Sequence, residues 1–162
     1  MGFSVLDQAT FFSLHIIQAV LSIITIGIYA YDLSVNKEYI DEHGKWARIY
    51  ALVVGALSIL YSAALLLSLI LSSQSGPALN VIMSAQWASI FVLFGSAYFD
   101  PHTAHDARHA AHLRLMLVGV WVDLANMVLW IITAGASSLA FCLDGIRQNG
   151  IRQSRLTGGA KV

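Results

Sequence analysis

Apolar side chains fill four stretches of this chain, and polar ones collect in the breaks between them. The apolar stretches cover residues 10–31, 49–71, 78–99 and 113–141. Each is about as long as an α-helix must be to cross a hydrocarbon core of roughly 30 Å at about 1.5 Å per residue. The fourth is long enough to tilt or to project beyond a bilayer. The breaks carry loop and turn chemistry. Residues 32–48 hold Asn36, Lys37, Glu38, Asp41, Glu42, Gly44 and Lys45, and residues 72–77 form a short Ser/Gly/Pro turn that makes the second and third helices antiparallel neighbours. Asp100-Pro101 reads as a helix start, with the Asp as N-cap and Pro at the first helical position. Residues 144–162 are polar and Gly-rich and read as a flexible tail. The predicted architecture is all-α: one domain over residues 1–143, a four-transmembrane-helix antiparallel bundle.

Composition sharpens that picture. Of 162 residues, 57% are hydrophobic and 11% charged, against about 45–50% and about 25% in soluble domains. A water-soluble fold of this size buries only about two-thirds of its surface and cannot hide so much apolar area. The net charge is zero, so no basic face invites nucleic acid. The single cysteine, Cys142, excludes an intrachain disulfide. No basic n-region precedes the first apolar stretch, which is expected to act as its own insertion signal. The implied partner is a lipid bilayer, and the implied location is a multi-pass site in the plasma membrane or an endomembrane.

Four crossings place both termini on one side. The tail's Arg147, Arg152, Arg155 and Lys161 favour a cytoplasmic one. So does Cys142 at the end of the fourth helix, a position suited to reversible palmitoylation. Tyr29, Tyr31, Tyr39, Trp46, Tyr50 and Tyr98 gather near the two longer loops and read as an interfacial aromatic belt.

Polar groups inside hydrocarbon are costly and need partners. Asp123 lies well inside the fourth apolar stretch, and Asn126 shares its helix face. Counting depth along alternating helices puts Gln18, Tyr61, Gln86 and Asn126 in one layer, with Asp123 a turn toward the loop side and His15 nearer the termini. This set reads as an interhelical hydrogen-bond network that fixes packing. The alternative is a proton or ion relay through Asp123 and His15. A stripe of small residues, Ala51, Gly55, Ser58 and Ser62, reads as a close helix–helix contact within the chain or between copies in a homo-oligomer.

His102, His105, His109 and His112 would share one face if Pro101 starts a helix. They are weak candidates for a zinc or copper site, or for a stripe titrating near neutrality; the plainer reading is a polar helical turn at the membrane surface. No nucleophile triad, phosphate loop, dinucleotide fingerprint or metalloprotease motif occurs, so no enzyme and no cofactor are expected.

Two runs carry a family resemblance. One is Lys45-Trp46-Ala47-Arg48-Ile49-Tyr50-Ala51 with Leu57-Ser58-Ile59-Leu60-Tyr61; the other is Trp121-Val122-Asp123-Leu124-Ala125-Asn126 leading to Leu129-Trp130 and Ala134-Gly135-Ala136. The second resembles the D-x-x-N-x-x-x-W pattern of small fungal MARVEL-domain proteins, in which the run sits in the third helix rather than the fourth. The cysteine pairs of some members are missing here. The resemblance implies a non-enzymatic tetraspan protein of ordered, sterol-rich membrane that organises membrane domains or takes part in vesicle trafficking. It assigns no site residues. The alternative function is a small transporter or a metal- or proton-responsive channel subunit using Asp123 and the histidine stripe.

Overall fold

A computed structural model describes the backbone over residues 5–35, 42–70, 77–99 and 107–158, and side chains over 9–35, 42–67, 77–99, 112–143 and 145–146. These residues form four helices and no strand: α1 (Val5–Val35), α2 (Glu42–Ile70), α3 (Pro77–Tyr98) and α4 (Ala107–Gly158). Each contains a stretch long and apolar enough to cross a membrane: Ala9–Val35, Glu42–Leu67, Pro77–Tyr98 and His112–Leu143.

Helix boundaries run beyond the apolar stretches: α1 spans Val5–Val35 rather than 10–31, α2 begins at Glu42 rather than Ile49, and α4 runs from Ala107 through Gly158, across the segment read as a tail. Helical hydrogen bonds do not stop where hydrophobicity stops. Gly145 and Gly150 each cost only about 1 kcal/mol relative to Ala, too little to end a helix already propagating.

Buried positions recur every three or four residues along each helix. They are His15, Gln18, Ser22, Thr25, Tyr29 and Asp32 in α1, and Arg48, Ala51, Val54, Ser58, Ser62 and Leu65 in α2. In α3 they are Asn80, Met83, Trp87, Ile90 and Phe94; in α4, Met116, Val120, Asp123, Asn126, Trp130 and Thr133. This three-and-four spacing is the seam of a helical bundle. α1 packs chiefly on α2 and α3 on α4, α1 also meets α4, and α2 touches α3 more lightly. Cross-helix pairs ascend α1 as they descend α4: Gln18 meets Thr133, Ser22 meets Asn126, and Thr25 and Tyr29 meet Asp123.

The surface and the interior are inverted relative to a soluble protein. Leu60, Trp121 and Ile23 are 66%, 59% and 57% exposed, whereas Gln18, Asp32 and Asp123 are fully buried. Soluble monomers rarely present continuous apolar faces of this kind, and fully buried acids are rare in any fold.

The small-residue stripe of α2 is used within the chain. Ala51, Gly55, Ser58 and Ser62 are all buried, and a Cβ on Gly55 would lie 2.8 Å from Ile26 Cγ1 and 3.5 Å from the Ser22 carbonyl oxygen. Gly55→Leu is expected to push α1 and α2 apart and to destabilise the bundle by about 1–3 kcal/mol. Thermal unfolding in detergent checks this, and unchanged stability would show that the contact is slack.

The aromatic belt is partly corrected. Tyr31 and Trp46 are exposed, Tyr50 and Tyr98 are half-buried, and Tyr39 lies outside the described residues. Tyr29 is a core residue: it is fully buried, stacks on Phe94 at 4.3 Å and points its hydroxyl at α4.

Candidate functional site

At one end of the bundle a single charged or polar side chain from each helix meets the others. Arg48 of α2 donates from Nε to Asp32 Oδ2 of α1, from Nη1 to its own helix's Gly44 carbonyl at 2.9 Å, and from Nη2 to the Tyr98 hydroxyl of α3 at 2.8 Å. His112 of α4 reaches the other carboxylate oxygen, Asp32 Oδ1, at 3.0 Å through Nδ1. The His112 ring also meets the Tyr98 ring edge-on, with centroids 6.3 Å apart. The planar fork of arginine suits this fan of acceptors, which a lysine could not satisfy with fixed geometry. Asp32 is fully buried and Arg48 is 5% exposed, so the pair is a four-helix clasp rather than a surface ion pair.

From the clasp a polar seam runs between α1 and α4. Asp123 accepts from the Thr25 hydroxyl at 3.0 Å and from the Tyr29 hydroxyl at 2.5 Å. Gly119, one turn earlier, faces α1: a Cβ there would lie 3.3 Å from Ile28 Cγ2 and in ordinary contact, 3.5 Å, with the Tyr29 hydroxyl. A turn beyond Asp123, Asn126 Nδ2 donates to Ser22 Oγ at 3.1 Å, and Ser22 in turn donates to the Gln18 carbonyl at 2.8 Å. Gln18 Nε2 donates to Thr133 Oγ1 at 3.0 Å, and Thr133 donates to the Leu129 carbonyl at 2.8 Å. Both joints share one logic: an amide donates across the interface to a hydroxyl, which passes its own hydrogen to a carbonyl one turn back. The seam ends at His15. Since Gln18 Nε2 is the donor to Thr133, its Oε1 is the acceptor, so His15 donates to it from Nδ1 at 2.7 Å. From His15 to Asp32 the seam covers about 25 Å of helix.

A second polar file lies opposite. The Tyr61 hydroxyl donates to Asn80 Oδ1 at 3.0 Å, and Asn80 Nδ2 donates to Ser137 Oγ at 3.0 Å, linking α2, α3 and α4. Nearby, Trp87 Nε1 donates to Ser58 Oγ at 3.4 Å. Among the described residues three buried polar atoms have no partner: Ser62 Oγ, Asn126 Oδ1 and Trp130 Nε1.

The single layer anticipated for Gln18, Tyr61, Gln86 and Asn126 does not form. Gln18 and Asn126 lie in the α1–α4 seam, Tyr61 belongs to the second file, and Gln86 accepts from the Tyr50 hydroxyl on the flank of α3. Depth alone does not fix facing: Gln86 sits one residue off the buried Met83, Trp87 and Ile90 stripe. His15 and Asp123 both belong to the seam but are not in contact, because the Gln18–Thr133 and Ser22–Asn126 joints lie between them. The sequence pattern did not bring Asp32, Arg48 and Tyr98 together: the first two read as loop boundaries and Tyr98 as part of the aromatic belt.

Of the histidine stripe, His102 and His105 lie outside the described residues, and so does the side chain of His109. His112 is committed to Asp32. Among the described residues no cluster of three metal-ligating side chains occurs. Cys142 is exposed near the end of the apolar part of α4. Comparison of the chain with known protein families, characterised proteins and solved structures finds no match.

Proposed function

We propose that this chain is a non-enzymatic, multi-pass integral membrane protein that organises membrane domains or takes part in vesicle trafficking, with cytoplasmic termini, in the plasma membrane or an endomembrane. The observation that carries the membrane assignment is the inversion of polarity: apolar side chains face outward, while Gln18, Ser22, Thr25, Asp32, Asp123, Asn126 and Thr133 face inward. In hydrocarbon a polar group gains nothing by pointing out, so the inside of the bundle is its only favourable place. The organising role rests on the resemblance to MARVEL-domain proteins. The D-x-x-N-x-x-x-W run supplies Asp123, Asn126 and Trp130, all fully buried, which makes the run a packing device consistent with a scaffold. The partners proposed are a sterol-rich bilayer and other membrane proteins, including further copies of the chain.

Asp123→Asn is expected to fold and reach its membrane as the parent does, because Asn keeps an acceptor for Thr25 or Tyr29 and removes an acid from hydrocarbon. Tags at both ends, followed by microscopy and protease access, test topology and compartment together. Tags on opposite sides, or loss of membrane delivery in a folded Asp123→Asn variant, would contradict the reading.

One observation favours a second reading, a proton-responsive transporter or channel subunit: the partners of the buried Asp123 are both hydroxyls and neither is a cation. Proton flux through reconstituted protein separates the two readings, since a scaffold passes none.

A further inference from the structure

Among the described residues two acids are buried, in contrasting ways. Asp32 has a guanidinium against it and an imidazole on its other oxygen. Asp123 is just as buried, yet among the described residues only the Thr25 and Tyr29 hydroxyls address it. The charged and titratable groups nearest along the seam are engaged elsewhere. On α2, Arg48 is held by Asp32, Gly44 and Tyr98; on α3, Tyr98 accepts from Arg48; on α4, His112 faces Asp32. An ionised carboxylate with no counter-charge in a low-dielectric interior is expensive, whereas the neutral acid pays only for its hydrogen bonds.

We propose that Asp123, with the hydroxyls of Thr25 and Tyr29, forms an exchangeable proton-binding site within the bundle. This inference rests on the second reading above and names its ligand, a proton. Both hydroxyls can donate or accept, so the same heavy atoms hold the site in either state. With the carboxylate, both donate. With the acid, Thr25 accepts the carboxyl proton and turns its own hydrogen toward the carbonyl one turn back, that of Leu21. Ser22, Thr133 and Ser137 already make this local bond in this structure. The neighbouring Asn126 Oδ1 gives an independent sign. It is a buried acceptor with nothing donating to it, on the same helix face one turn from Asp123.

The test uses the full chain in lipid nanodiscs and two probes. Dicyclohexylcarbodiimide, an apolar reagent, adds a protonated carboxyl across its C=N bond: the acid proton goes to nitrogen and the carboxylate oxygen to carbon, and acyl migration from oxygen to nitrogen leaves a stable N-acylurea. Mass spectrometry should find this adduct on Asp123 and not on Asp32. Its yield should fall as the pH is raised, since the acid fraction above a pKa drops ten-fold per pH unit. Infrared difference spectra should show a carboxylic-acid carbonyl band that disappears in parallel. Asp123→Asn should remove both signals; if that variant does not fold, Tyr29→Phe should shift the pH at which the band is lost. A missing acid band at every pH, or one that persists unchanged throughout, overturns the proposal. A titrating band without proton flux across proteoliposomes leaves the site standing and removes the transporter reading.

Discussion

Arg48→Met destabilises the bundle by about 3–5 kcal/mol, the range for removing one partner of a buried ion pair; Asp32 loses its guanidinium and keeps the His112 imidazole. Asp32 is fully buried and Arg48 nearly so, so solvent does little to screen the loss. The variant also removes the donors to Gly44 and to the Tyr98 hydroxyl, uncoupling α3 from the clasp. The diagnostic result is non-additivity. Asp32→Leu combined with Arg48→Met removes both charges and is expected to recover most of the loss, because a buried pair exchanged for apolar side chains of similar size is often neutral or better. Denaturation in mixed detergent micelles measures all three variants. A double variant as unstable as the sum of the singles would show that the pair is not the unit.

Trp130→Ala is the second large effect, with an expected cost of about 2–3 kcal/mol. In water-soluble cores such truncations cost about 3–5 kcal/mol. The part due to transfer from water is missing where the alternative environment is lipid, and the packing part remains. Trp130 is fully buried and its ring lies 5.9 Å from His15 and 5.7 Å from Tyr61 by centroid, so one cavity would face α1 and α2 at once. Trp130→Phe should keep most of the stability, because the indole N–H has no partner to lose. The same denaturation assay checks both. A Phe variant as damaged as the Ala variant would mean that the N–H is engaged.

The four helices were legible because hydrocarbon length imposes a run of apolar residues that composition cannot disguise. The pairing of Asp123 and Asn126 on one face was legible from helical spacing. The clasp was not. Asp32 and Arg48 sit where apolar runs meet loops, and a charge at such a place ordinarily marks water. The signal that would have found Asp32 is the continuation of the three-and-four spacing from His15 through Gln18, Ser22, Thr25 and Tyr29, which lands on it. Arg48 lies on the corresponding buried stripe of α2, a turn before Ala51. Gln86 failed in the opposite way: it was grouped with Gln18 by depth, but its facing depends on the rotation of α3, which a sparse polar pattern on an all-apolar helix does not reveal. Thr25, Thr133 and Ser137 were passed over because a lone hydroxyl in a membrane helix is ordinarily satisfied by its own backbone; here Thr25 bonds across the interface, and the other two also accept across it.

Which solvent surrounds the outer face decides the whole account. In a Cys142→Ser background, single cysteines at Leu60, Ile23 and Ile131, all exposed on the bundle's outside, can be spin-labelled in nanodiscs and their collisions with oxygen and with a water-soluble nickel chelate compared. Oxygen concentrates in lipid and the chelate stays in water, so the predicted result is strong relaxation by oxygen and little by nickel at all three positions. Strong relaxation by nickel at these positions would mean that water covers the apolar face, and would contradict the account.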